Sequence, residues 1–146
     1  MNIARPQIRR FALLSLAFVC LVATSCGTAG PKLHPVTGKV LFEDKPAEGA
    51  TVVFHLTDGA PDAPKPAGTV GSDGSFKLNT YPHGEGAPEG EYTILVTWFD
   101  TPKNDNAEPK SRISLAYSQV AKSGLKASVK AGTNTLEPFR LTKQPR

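Results

Sequence analysis

The chain is 146 residues long, 39% hydrophobic and 21% charged, which is enough for one packed core and too little for two. Its 17 Lys and Arg against 13 Asp and Glu give a formal net charge of +4, and Arg5, Arg9 and Arg10 supply most of that excess from the very start of the chain. Elsewhere no run of Lys and Arg forms, so the composition excludes a nucleic-acid-binding face.

Met1–Arg10 holds those three arginines and no acidic residue, and Phe11–Ala23 is apolar apart from Ser15. The apolar run is shorter than the roughly 20 residues of a membrane span. A basic start, an apolar middle and a small-residue exit describe a secretory signal peptide. The exit is Val22-Ala23-Thr24-Ser25-Cys26. Small residues before a cysteine resemble a bacterial lipobox, with Ala23 where that motif favours leucine. The resemblance implies cleavage that leaves Cys26 as an acylated N-terminus; ordinary cleavage nearby and an uncleaved anchor are the alternatives. Residues 1–25 are therefore expected to be a lipoprotein signal peptide, and 26–35 the lipidated cysteine with a flexible tether rich in small residues and proline. Cys20 would leave with the signal and Cys26 would be consumed by lipid, so no disulfide is expected. Losing three arginines also brings the mature chain close to neutrality.

Residues 36–141 carry the patterning of one small β-sandwich, and 142–146 form a tail. Gly38–Phe54 predicts two strands joined by a turn around Lys45-Pro46 and Gly49. Val40 and Phe42 share one face of the first; Ala50, Val52 and Phe54 share one face of the second, the period of a half-buried strand. Thr57–Pro66 is a polar loop, Ala67–Val70 a short strand and Gly71–Gly74 a turn. Ser75–Thr80 predicts a strand with Phe76 and Leu78 on one face, and Tyr81–Glu89 a Gly/Pro-rich loop. Glu91–Phe99 is the strongest strand signal, rich in β-branched and aromatic residues. It places Tyr92, Ile94, Val96 and Trp98 on one face and Thr93, Leu95, Thr97 and Phe99 on the other. Asp100–Arg112 predicts an exposed connection. Ile113–Lys122 is either a turn or two of helix or, preferably, an irregular segment with Tyr117 on the sandwich rim. Leu125–Val129 and Thr135–Leu141 read as a hairpin through Ala131–Asn134, with Pro138 demanding an edge or a bulge in the last strand.

Four short stretches in order then carry a resemblance: Gly38-Lys39-Val40, Lys45-Pro46 with Gly49-Ala50-Thr51-Val52, Asp73-Gly74-Ser75-Phe76, and Gly90-Glu91-Tyr92-Thr93-Ile94. They look like successive signatures of carboxypeptidase regulatory-like domains. The closing Ser123-Gly124-Leu125 and Val129-Lys130-Ala131-Gly132 are similar to those of short bacterial lipoproteins built on that domain. The resemblance implies an all-β fold, a single transthyretin-like, seven-stranded Greek-key β-sandwich, used as an accessory module without chemistry of its own.

The residues themselves offer little catalytic machinery. His34, His55 and His83 never fall at metal-ligand spacing, and the loop aspartates form no calcium-loop pattern, so no metal site and no cofactor are expected. No serine sits in a nucleophile elbow. Hydroxyisourate hydrolases, which share the transthyretin-like fold, resemble one another through a terminal Tyr-Arg-Gly-Ser, whereas this sequence closes on Leu141-Thr142-Lys143-Gln144-Pro145-Arg146. The expectation is a non-enzymatic, lipid-anchored module of the bacterial envelope, on the outer membrane or its periplasmic face. It would contact the membrane through its N-terminal lipid and an envelope protein as partner. The alternative is a carbohydrate- or calcium-binding module in which Tyr81, Trp98 and Phe99 form a stacking platform for a saccharide. Against that platform stands plain core packing of the same aromatics, which is the commoner use of aromatics in strands.

Overall fold

The computed structural model describes residues 30–102, 104 and 106–143. The expected signal peptide, Cys26 and most of the tether lie outside the described residues, as does most of the C-terminal tail. Two sheets pack face to face as a β-sandwich with one core between them.

The first sheet is built around β1 (Val36–Phe42). On one flank it pairs antiparallel with β2 (Lys45–Pro46) and β5 (Ser75–Lys77). On the other it pairs in parallel with β10 (Asn134–Thr135) and β11 (Phe139–Leu141). The second sheet runs in the order β7 (Gly84–Glu85), β6 (Asn79–Thr80), β4 (Ala67–Thr69), β3 (Thr51–Leu56), β8 (Gly90–Thr97), β9 (Lys126–Val129). Alternation decides which side chains meet between the sheets. Val40 from the first sheet, and Val52, Phe54, Tyr92, Ile94 and Val96 from the second, are buried, and Trp98 closes the row just beyond β8. Phe54 is the hub of the core, with Tyr92, Phe76 and Phe139 rings at centroid distances of 5.6, 6.2 and 6.4 Å.

The described residues contain eleven strand segments rather than seven, because several of the expected strands break where the chain changes sheets or direction. Ser75–Thr80 is split at Leu78: β5 belongs to the first sheet and β6 to the second. Buried Leu78 makes the crossing, its N–H donating to Val36 O. The last strand is split around Pro138, which has no N–H for a ladder, leaving β10 and β11 as two short contacts along β1. Gly84–Glu85 pairs with β6 as β7, inside what reads as a loop.

Two expected pairings are corrected. The turn after β1 lies at Glu43-Asp44, with β2 folding straight back on β1, while β3 joins the opposite sheet. Leu125–Val129 and the C-terminal segments do not form a hairpin: β9 pairs with β8, and β10 and β11 pair with β1.

Between β8 and β9, the 3-10 turn Leu115–Ser118 replaces the irregular segment expected there. Ser114 caps it, and it buries Tyr117. The Tyr117 hydroxyl accepts the Thr142 N–H at 3.0 Å, tying this plug to the end of β11. Tyr92 makes a tyrosine corner: its hydroxyl donates to Pro88 O, four residues upstream, at 2.8 Å, and burial pushes its phenol pKa up. Among the described residues no helix is long and apolar enough to cross a membrane.

Candidate functional site

β1 gives the sandwich two unlike ends. The chain arrives at one of them. There His34 exchanges both backbone hydrogen bonds with Ala87, and its Nδ1 accepts the Gly132 N–H at 2.9 Å. The proton of the neutral ring therefore sits on Nε2, 3.0 Å from Glu89 Oε1, although poorly aligned for a hydrogen bond. Gly86 makes this closure possible, since a Cβ there would lie 2.4 Å from His34 O. The other end lies about 20 Å away along β1, and it carries the surface clefts described next.

That far end is assembled by three turns. Glu43 and Asp44 adopt φ of 48° and 64°, the left-handed conformation at both positions that a two-residue hairpin of matching twist requires. The Ala47–Ala50 turn follows, Ala50 N–H donating to Ala47 O at 3.0 Å and Ala47 N–H to Val40 O at 3.1 Å. Beyond β8 the chain leaves and returns as an antiparallel pair, Phe99 bridging Ser111, with Arg112 N–H donating to Trp98 O at 2.8 Å. In that register Arg112 stands directly opposite Trp98, and neighbours opposite one another share a face.

The result is a cleft of about 510 Å³ lined by Phe42, Glu43, Lys45, Glu48, Trp98 and Arg112. Trp98 is only 7% exposed; its indole N–H donates to Glu48 O at 2.8 Å. The Arg112 guanidinium lies 3.9 Å from the ring centroid, and Phe42 meets the ring edge-on at 5.9 Å. Asp100 Oδ1 sits 3.3 Å from Arg112 Nε, an ion pair of two half-exposed side chains that holds the guanidinium over the ring. A second cleft, about 360 Å³, shares Glu43 and is lined by Asp44, Tyr117, Ser123 and Arg140 among others. Asp44 and Arg140 form an ion pair across its mouth. Chemically this end offers a stacked cation, a Lys, carboxylates of opposite sign and a partly covered aromatic pair. Among the described residues no acid and base are paired at a nucleophile in these clefts.

The three aromatics of the expected platform are not brought together. Trp98 joins the core, Phe99 is 48% exposed beside it on the opposite face, and Tyr81 is 90% exposed at the other end. The register fixes this separation. Asn79 is level with Leu95 through Ala67 and Val53, and β6 runs opposite to β8. Tyr81 thus lies about 20 Å along and 14 Å across the sheet from Phe99. Cys26 lies outside the described residues. Among the described residues no three His, Cys, Asp or Glu side chains come together as a metal site. Sequence reasoning missed Arg112, Phe42 and Glu48, which join Trp98 from elements remote in the chain; only the strand signal at Trp98 pointed here.

No protein-family model matches the chain, and no curated protein matches it. Two solved structures are similar in part. One is a 9R-lipoxygenase from Cyanothece, 18% identical over 77% of this chain with a TM-score of 0.43. The other is a DUF3823 family protein from Parabacteroides merdae, 18% identical over 79% of this chain with a TM-score of 0.38. The chain spans 17% of the length of the first and 47% of the second.

Proposed function

We propose that this protein is a lipid-anchored, non-catalytic β-sandwich of the bacterial cell envelope, of the carboxypeptidase regulatory-like kind, that docks a partner protein through the end remote from its anchor. The observation that carries this is the Arg112–Trp98–Phe42 cluster at the end opposite the one where the chain arrives. A membrane-tethered module presents its far end to the envelope space. Trp and Arg in a partly desolvated pocket ringed by charge are the residue types on which protein interfaces concentrate binding energy. The lipobox-like stretch ending at Cys26 supports the anchor, and the four ordered stretches of the sequence support the family.

The test is site-specific photo-crosslinking in bacteria that make the full chain. A photoreactive residue at Lys45, on the cleft rim, is expected to capture one defined envelope protein. The same residue at Lys126, on the β9 edge, is expected not to, and Arg112→Glu should abolish the Lys45 adduct. Equal capture from both positions, or an adduct indifferent to Arg112→Glu, sinks the docking reading.

A further inference from the structure

Tyr81 is the most exposed large apolar side chain among the described residues, at 90%; a single exposed side chain is ordinary in itself, and what sets this one apart is its place. Its backbone is well fixed. Thr80 before it is fully buried, with its hydroxyl donating to Gly86 O at 2.7 Å, and His83 N–H closes the turn on Thr80 O at 2.6 Å. The ring is thus held out from a rigid turn rather than carried on a loose loop.

Its position says what covers it. The turn lies at the end where the chain arrives, and Gly30 touches it: a Cβ built on Gly30 would lie 2.9 Å from His83 Nδ1. Cys26 precedes Gly30 by four residues, which even fully extended span at most about 14 Å. Any lipid on Cys26 therefore keeps the part of the turn that Gly30 touches within about that distance of the bilayer surface, and a tether that is less than taut lets an exposed side chain of the turn reach the headgroup layer. Tyrosine is suited to that layer, its ring packing against the upper acyl chains while the hydroxyl stays among headgroups and water.

We propose that Tyr81 inserts into the membrane interface and sets which way the sandwich stands on the bilayer, with the Arg112–Trp98 end pointing away. The proposal rests on the lipid anchoring of Cys26 proposed above. A lipid anchor at one end of a tether leaves a domain free to tumble about it; a second, aromatic contact beside the tether fixes one orientation.

The experiment uses the full chain, extracted from bacterial membranes and reconstituted into phosphatidylethanolamine–phosphatidylglycerol vesicles whose acyl chains are brominated close to the headgroup. Trp98 is the natural reference, since it is the sole tryptophan and lies buried at the opposite end. Tyr81→Trp adds a second emitter at an exposed site, where the fold tolerates it, and an unchanged Trp98 contribution confirms that. The expected result is flotation of both proteins with the vesicles, no quenching of wild-type emission by bromine, and loss of the emission that Tyr81→Trp adds. Flotation with the added emission unquenched overturns this proposal and leaves the anchor standing. Failure to float, or flotation of Cys26→Ser equal to wild type, overturns the anchor and this proposal with it.

Discussion

Trp98 does two jobs that can be separated by substitution. Its indole N–H satisfies Glu48 O, and its ring supports Arg112 from below. Trp98→Phe strands that carbonyl and opens a small void, and is expected to cost about 1–3 kcal/mol, read as a lower urea midpoint at unchanged slope. Arg112→Ala removes only a half-exposed cation–π contact and a surface ion pair, so its cost should be about 0.5–1 kcal/mol. Arg112 can therefore be removed to test docking in a protein that is still folded. Asp73 gives a residue-level prediction in pH. The Ser75 hydroxyl donates to its Oδ1 at 2.6 Å and the Ser75 N–H at 3.0 Å. Those bonds, the hydroxyl first, hold its carboxyl below the usual carboxylate pKa, with Lys39 adding a smaller pull. A folded pKa below the unfolded one means stability that is present above the unfolded value of about 3.9 and is lost as pH falls through the folded value. Asp73→Asn keeps an acceptor but cannot titrate. The difference in melting midpoint between wild type and Asp73→Asn should therefore shrink as pH falls from neutral to strongly acid; a constant difference would remove Asp73 from the acid limb.

Among the elements, the inward faces of the strands were legible in the sequence and their partners were not. Alternation at Val52–Phe54 and Tyr92–Trp98 reports that one face is buried, and both sets are indeed buried. The same alternation is produced whichever of two facing sheets a strand joins, because both inner faces look into one core. That is why β9 and the C-terminal strands read as a hairpin when the Lys130–Thr133 turn in fact carries the chain from one sheet to the other. The Glu43-Asp44 turn was hidden for a different reason. Hairpin turns with left-handed φ at both positions are usually signalled by Asn-Gly or Asp-Gly, and Glu-Asp followed by Lys-Pro shifts the apparent turn two residues on. Pro138 was read correctly as incompatible with a continuous ladder, a consequence of its missing N–H alone. The candidate site was the least legible part. Arg112 meets Trp98 only because residues 98–100 and 110–112 pair across a hydrophilic connection, and nothing in the local composition announces that return.

At the scale of the whole molecule, the fold is closed by contacts between the two ends of the domain. β1 opens the domain and sits inside its sheet, and its parallel partners are the last strands: Val36 pairs with Asn134 and Val40 with Phe139. Phe139 stacks on Phe76 at 6.2 Å and meets Phe54 edge-on, and Leu141 is fully buried. A chain ended after Thr133 loses both side chains from the core, about 1.5–3 kcal/mol of burial each, and bares one whole flank of β1. Set against a typical stability of about 5–15 kcal/mol, and with uncovered Phe54 and Phe76 adding to the loss, such a chain should show no cooperative thermal transition by near-ultraviolet circular dichroism. A chain ended after Thr142 keeps β11 and the Thr142 N–H that Tyr117 accepts, and should melt as wild type does. Because the pairings that complete β1 span nearly the full domain, folding must wait for distant segments to meet, which makes it slow for the size of the domain. A cooperative transition in the chain ended at Thr133 would mean instead that β2, β5 and the second sheet suffice to hold β1, and that the C-terminal strands are an addition to a core already closed.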